Sequence, residues 1–297
     1  MIQLHNISTR VDASVDQLRN WSHAIDATGY RHERLVIPGK HDRLLSKPAD
    51  WLRPVLDKLA TWFYEALPVH TAAHGYVIGR SILTHAQQHV HAPAGPAWLV
   101  TLDLRDWFGT IKETRIAIAL ERARWAPDAA ALAAKLCCER GHLPQGAPTS
   151  PVLANFCAYA FDHRLTQTAA ARGFAYSRFA DDLAFSTAVP VVFADIKKLL
   201  THIHGHAERA SFVVHPKKTQ ITRPWQQQDV TGLIVNGGIV RPARVMMRQL
   251  RAAIHNLAQG KDGEWTVEQI RGSIGFVQMV DKERGAKLLA AFEQAKK

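Results

Sequence analysis

The chain has 297 residues, 47% hydrophobic and 21% charged, which excludes a disordered protein and suits about two domains. Lys and Arg number 37 against 26 Asp and Glu, a net charge of +11 that points to a polyanionic partner, nucleic acid before anionic membrane. Three cysteines (Cys137, Cys138, Cys157) give no disulfide framework, no apolar run is long enough to span a membrane, and the first residues lack a signal-peptide pattern, so a cytoplasmic protein is expected.

Val15, Leu18, Trp21 and Ile25 mark one face of a short helix within residues 11–29. Residues 34–48 read as two strands around a polar turn. Pro48 then opens a helix whose apolar face runs from Trp51 to Phe63. The turn-rich segment 74–81 leads into a helical pattern through His91. Residues 97–102 form a buried strand that stops at Asp103. Helices follow over 114–124 and 127–140. The segment LPQGAPTSP breaks the pattern; Ser150 as N-cap and Pro151 in first position start a helix that runs to Gly173. Residues 174–186 read as strand, tight turn and strand, with Asp181 and Asp182 in the turn. A helix over 190–210, strand candidates at 212–222 and 230–236, and a helical tail from Arg241, interrupted at 260–263, complete the chain.

Two adjacent carboxylates between apolar strands repel each other and lose hydration. Either the turn is exposed or a cation sits there. Asp103 ends another apolar strand, and strands bearing Asp103 and Asp181 side by side would aim both carboxylates at one point. Oxygen ligands of this kind suit Mg²⁺, with Mn²⁺ as a substitute. Two such ions can activate an attacking hydroxyl and stabilise a leaving phosphate. On a basic chain this means phosphoryl transfer on nucleic acid, and a nuclease and a polymerase fit equally well.

The order of segments separates the two. DLRDWF at Asp103, LPQGAPTSP at Leu143, FADD at Phe179 and HPKKT at His215 resemble the palm of reverse transcriptases, as do HGYVIGRSI at His74 and IRGSIGFVQMV at Ile270. A narrower resemblance is to retron reverse transcriptases. Val230, Thr231 and Gly232 match their V-T-G signature, and residues 85–89 nearly match N-A-x-x-H, with His85 where Asn is usual. Phe179 stands where Tyr is commoner.

The resemblance implies an α/β (α+β) right-hand polymerase: N-terminal helices and fingers over 1–96, an antiparallel palm over 97–236 with inserted fingers helices at about 112–142, and a helical thumb over 237–297. It implies RNA-templated addition of deoxynucleotides with two Mg²⁺ ions held by Asp103, Asp181, Asp182 and the Leu104 carbonyl. Phe108 becomes the sugar gate, Gln145, Gly146 and Lys218 meet the nucleotide, and Lys40 and Arg43 clamp its triphosphate. Asp106 either lies near the triphosphate or caps the following helix. Arg80 contacts template or nucleotide, or is structural, and His89 contacts RNA or fixes a local loop. Arg241, Arg244, Arg248 and Arg251 line one helical face that grips duplex backbone. The expected partners are a structured noncoding RNA and its branched RNA–DNA product, dNTPs and an accessory effector protein in antiphage defence. Another bacterial reverse transcriptase with different priming, or an RNA-binding scaffold, is the alternative.

Overall fold

The computed structural model describes residues 1–36, 42–261 and 263–296. The chain opens with α1 (Leu4–Val11) and α2 (Val15–Ala24), the second started by a reciprocal Ser14–Gln17 capping box. A hairpin follows, β1 (Tyr30–Leu35) antiparallel to β2 (Arg43–Pro48), with Tyr30 opposite Pro48 and Leu35 opposite Arg43. Pro48 therefore ends a strand rather than opening a helix. The Ala49 N–H still bonds back to the Gly29 carbonyl, and α3 (Arg53–Ala66) begins only after the chain has turned. Next come α4 (Ile82–Gln87) and the long strand β3 (Trp98–Arg105), which runs through Asp103 instead of stopping there.

Beyond β3 lie α5 (Glu113–Arg122), α6 (Pro127–Cys137), α7 (Ser150–Cys157) and α8 (Tyr159–Ala170). The single helix expected over 150–173 is thus two, turned at Ala158. Thr149 is the N-cap, and the Ser150 hydroxyl instead donates to the Pro144 carbonyl at 2.7 Å, tying the loop to the helix it precedes. The hairpin β4 (Ala175–Phe179) and β5 (Asp182–Thr187) leads to α9 (Phe193–Arg209) and the short strands β6 (Val213–Val214), β7 (Gln220–Thr222), β8 (Asp229–Val230) and β9 (Leu233–Ile234). The tail is not helical from Arg241: β10 (Arg241–Pro242) first pairs with β9. Only then come α10 (Arg244–Ala258), α11 (Val267–Val280) and α12 (Lys282–Ala295), with an apolar cluster of their own around Leu250, Ile274 and Phe292.

The central sheet has the order β4-β5-β3-β6, with β7 also on β3, and all its pairings are antiparallel. Alternation along β3 divides the sheet into two faces. Val100, Leu102 and Leu104 point into the main core with Leu183, Phe185 and the α8 residues Phe161 and Leu165. Leu99 and its partners point the other way, where Ala86 of α4 and Val230 and Leu233 of β8–β9 cover them. Cys137, Cys138 and Cys157 are buried free thiols in the main core. Burial pushes Cys137 and Cys157 up to about 12 and Cys138 higher still. No helix among the described residues is long and apolar enough to cross a membrane.

Candidate active site

The register of the sheet sets the acidic pair. Asp103 on β3 lies directly opposite Asp182 on β5. The two side chains share the face that α4 and β8–β9 cover, because Thr101 faces Ala184 and Leu99 faces Ser186 in the same register. Asp181 is not on a strand: it stands in the β4–β5 turn, and its carbonyl oxygen accepts the Leu104 N–H at 2.9 Å. One hydrogen bond thus pins the turn beside Asp103.

Asp103 also gathers the next loop. Its carbonyl accepts the His215 N–H at 2.7 Å, and its Oδ2 accepts from the Lys218 Nζ at 2.7 Å. A cavity of about 220 Å³ opens between these groups, with Asp103, Asp182, Lys218, Asp229, Val230 and Thr231 in its walls. Val230 ends β8, Thr231 and Gly232 make the turn into β9, and the Gly232 N–H donates to Asp229 Oδ1 at 2.8 Å. Residues 230 and 231 therefore line the same space as the carboxylates.

Burial, then the Asp103 charge, raises the Asp181 carboxyl above its ordinary value; Lys218 and Arg43 pull the other way. Asp182 keeps an exposed edge. The atoms crowding the cleft, followed by the Asp181 and Asp103 charges, nevertheless push it up to about 7. Among the described residues no three His, Cys, Asp or Glu side chains form a metal cage by themselves. Mg²⁺ is ordinarily held by one or two carboxylates with substrate phosphates completing the shell. A pair of opposed carboxylates fits that requirement, with the Lys218 ammonium on Asp103 as the competing cation.

Arg43 begins β2, and its positive charge acts to lower the pKa of both Asp181 and Tyr76. Lys40 lies outside the described residues. Phe108 is half-buried, and its ring sits 6.2 Å from that of Tyr76, which is exposed and left-handed (φ 57°). Tyr76 was not singled out from the sequence, although it lies within HGYVIGRS. The Gln145 carbonyl accepts the Ser46 N–H at 2.8 Å. Gly146, at φ 129°, lies so close to Ser46 that a Cβ would stand 2.8 Å from its carbonyl oxygen. This loop braces β2. Asp106 serves as a turn residue at φ 50°, with its carbonyl accepting the Thr110 N–H at 3.0 Å.

Two open alternatives fall on their structural side, and one reading changes. The Arg80 Nη1 donates to the carbonyls of His70, Thr71 and Ala73, so it holds its own loop, the structural alternative. His89 is fully buried, with its ring nitrogens 2.7 and 2.8 Å from the hydroxyls of Ser186 and Ser177; it fixes α4 to the sheet and has no surface to offer RNA. Arg241 belongs to β10, apart from Arg244, Arg248 and Arg251, which share an exposed face of α10.

Beneath the turn lies a network that sequence reasoning missed. Arg178 and Asp162 are both fully buried and paired at 2.6 Å. The Arg178 Nη1 donates to the Ala180 carbonyl at 2.8 Å and its Nη2 to Asn155 Oδ1 at 3.0 Å. The Asn155 Nδ2 donates to the Gly75 carbonyl at 2.9 Å, and Gly75 lies so near Ala180 that a Cβ would collide with its backbone. The Tyr176 hydroxyl donates to Asp162 Oδ1 at 2.8 Å.

Residues 40–236 match the family model "Reverse transcriptase (RNA-dependent DNA polymerase)". Among curated proteins, the chain is 36% identical over 84% of its length to the retron Mx162 reverse transcriptase of Myxococcus xanthus, and the match covers 57% of that protein. It is 28% identical over its whole length to the retron Ec86 reverse transcriptase of Escherichia coli, covering 90% of it. It is 30% identical to the retron Mx65 reverse transcriptase of M. xanthus, over 95% of this chain and 69% of that one. Among solved structures, apo telomerase from Candida tropicalis superposes with a TM-score of 0.51 at 11% identity, covering 73% of this chain and 55% of that chain, a likeness of fold.

Proposed function

The chain belongs to the reverse transcriptases, within their retron-type members, and from that premise we propose that it copies part of a structured noncoding RNA into single-stranded DNA. In this reading synthesis starts from a guanosine 2′-hydroxyl and leaves a branched RNA–DNA product, and an accessory effector acts with it in antiphage defence. Residues 1–96 serve as N-terminal helices and fingers, 97–236 as palm with inserted fingers helices at about 112–142, and 237–297 as thumb.

The observation that carries the reading is the register of Asp103 opposite Asp182, with Asp181 tied to Leu104. Asp103, Asp181, Asp182 and the Leu104 carbonyl would hold the divalent ions. When bound, such ions lower the pKa of the attacking hydroxyl and offset charge on the phosphates. The primer hydroxyl forms a bond to the α-phosphorus, and the bond to the pyrophosphate oxygen breaks. Lys218 stands 2.7 Å from Asp103, where its ammonium can meet the departing pyrophosphate. Arg43, and Lys40 with it, hold the triphosphate from the hairpin side. Gln145 and Gly146 shape the nucleotide pocket against Ser46. Phe108 sits beneath the ribose, beside Tyr76, and excludes a 2′-hydroxyl. Arg244, Arg248 and Arg251 grip duplex backbone.

The test is expression with the native flanking DNA, followed by debranching and sequencing of the copurified nucleic acid. A short DNA joined 2′–5′ to a local RNA is expected, absent in Asp181→Asn/Asp182→Asn. Unbranched DNA would discard the priming mode, and DNA retained in the double variant would discard the carboxylate assignment.

A further inference from the structure

A second, larger cleft of about 880 Å³ lies away from the carboxylates, bounded by α5, α7, α8 and the end of α9. Its wall includes Phe161, which packs into the main core with Leu104 and Leu183, on the opposite side of the sheet from the face that carries Asp103 and Asp182.

Lys112, Arg122, Arg164 and Arg209 stand exposed around this cleft, and no Asp or Glu among the described residues lines it. The floor is fixed by Arg115, whose guanidinium donates to the carbonyls of Ala210 and Cys157 and lies 4.5 Å from the Phe212 ring centre. Arg164 on α8 and Arg209 at the end of α9 both line it, and their charges, after burial, help push the His206 pKa down. At the rim, Tyr159 is 41% exposed. Like charges held around a concavity raise its potential and draw in an anion. Protein–protein interface cores are poor in charge, whereas protein–nucleic acid interfaces are rich in Lys and Arg and use aromatic rings as stacking platforms.

We propose that this cleft is a second RNA-binding surface, which holds the sugar–phosphate backbone of an RNA segment that is not being copied. The proposal rests on the reading that the chain works on a structured RNA. It lets one molecule anchor its RNA on the back of the palm while the catalytic face moves along another part of the same strand.

The test uses the full chain with its catalytic cleft saturated by an unlabelled RNA-template/DNA-primer duplex. A labelled RNA hairpin is then titrated against the wild type and against Lys112→Gln/Arg122→Gln/Arg164→Gln/Arg209→Gln. The variant is expected to bind the hairpin at least about tenfold more weakly, with a log K versus log salt slope shallower by up to roughly 3.6, since each of the four lost phosphate contacts removes about 0.9. Its primer-extension rate and melting temperature should match the wild type. Arg164→Gln/Arg209→Gln alone should give an intermediate loss. Unchanged affinity and slope would overturn the proposal. Unchanged hairpin binding together with loss of a copurifying acidic protein would also overturn it, assigning the cleft to a protein partner. A wild type that binds the hairpin but extends no primer would sink the polymerase reading while leaving the second surface standing.

Discussion

The Arg178 guanidinium donates to the carbonyl oxygen of Ala180, the residue that leads into Asp181. Ala180 is left-handed at φ 55°, a conformation that non-glycine residues seldom adopt without support. Removing one member of a fully buried ion pair typically costs about 3–5 kcal/mol, because the other charge is stranded. Arg178→Met is expected to lose stability on that scale in urea unfolding, and Arg178→Met/Asp162→Leu less than the two single changes summed. Additive losses would mean that the pair is not coupled.

The buried histidines give the protein an acid limit. Burial pushes His74 down to about 4 and His85 to about 3, and holds His89 well below the ordinary imidazole range. Their folded pKa values lie below the unfolded value of about 6.5, so the unfolded chain binds more protons between the two. The stability they contribute is fully present above about pH 6.5 and is lost as pH falls, by at most ~1.4 kcal/mol per pH unit for each imidazole. Asp181 and Asp182, shifted upward, act with the opposite sign. The urea midpoint of Asp181→Asn/Asp182→Asn should therefore drop steeply between about pH 6.5 and about pH 5. A flat profile would show these imidazoles to be protonated in the fold.

Lys218 acts as a resident cation on Asp103. With Lys218→Gln, Mn²⁺ measured by electron paramagnetic resonance without nucleotide should bind several-fold more tightly, a gain of about 1 kcal/mol from removing one exposed charge. Nucleotide incorporation should fall in the same variant. Weaker Mn²⁺ binding would show that Lys218 organises Asp103 rather than competing for it.

At Gly146 a methyl group meets the Ser46 carbonyl in a backbone conformation that alanine adopts only under strain. Gly146→Ala should cost about 1–3 kcal/mol and raise the dNTP KM, because the loop and β2 separate. Thermal melting and steady-state kinetics report the two effects independently.

Phe108→Ala opens space beside Tyr76. Ribonucleotide incorporation should rise at least about tenfold against deoxynucleotide, about 1.4 kcal/mol of discrimination. Unaltered sugar selectivity would remove Phe108 as the gate, and Tyr76→Ala would then be the variant to examine.

The neighbouring carboxylates, the β1–β2 hairpin and the paired strands of the central sheet were legible because each rests on local signals: an apolar run, a turn and an acid at a strand end. The support beneath them was not. Asp162 reads as a polar residue on a helix surface, and its burial arises only when α8 docks on β4 and brings Arg178 within 2.6 Å. Arg80 and His89 show why a residue type underdetermines its role. The sequence displays a guanidinium and an imidazole, but the carbonyls and hydroxyls that occupy them come from chain brought together by folding. The split of one expected helix at Ala158 was hidden for a similar reason, since Ser150 bonds back to Pro144 and fixes where α7 starts. Register placed Asp182, rather than Asp181, across from Asp103, and a one-residue offset of that kind is decided by pairing along the whole strand.

The three core cysteines have a practical consequence. Their thiols are buried and held protonated far above neutral pH, so little thiolate forms to meet a maleimide or a spin label. The native chain is thus a silent background for labelling. A cysteine placed at Leu44 on the hairpin and another at Val245 on α10, positions 60% and 51% exposed, would be the thiols that react. Paired reporters there would read the distance between the hairpin and α10 in real time, with every native side chain of the core left in place.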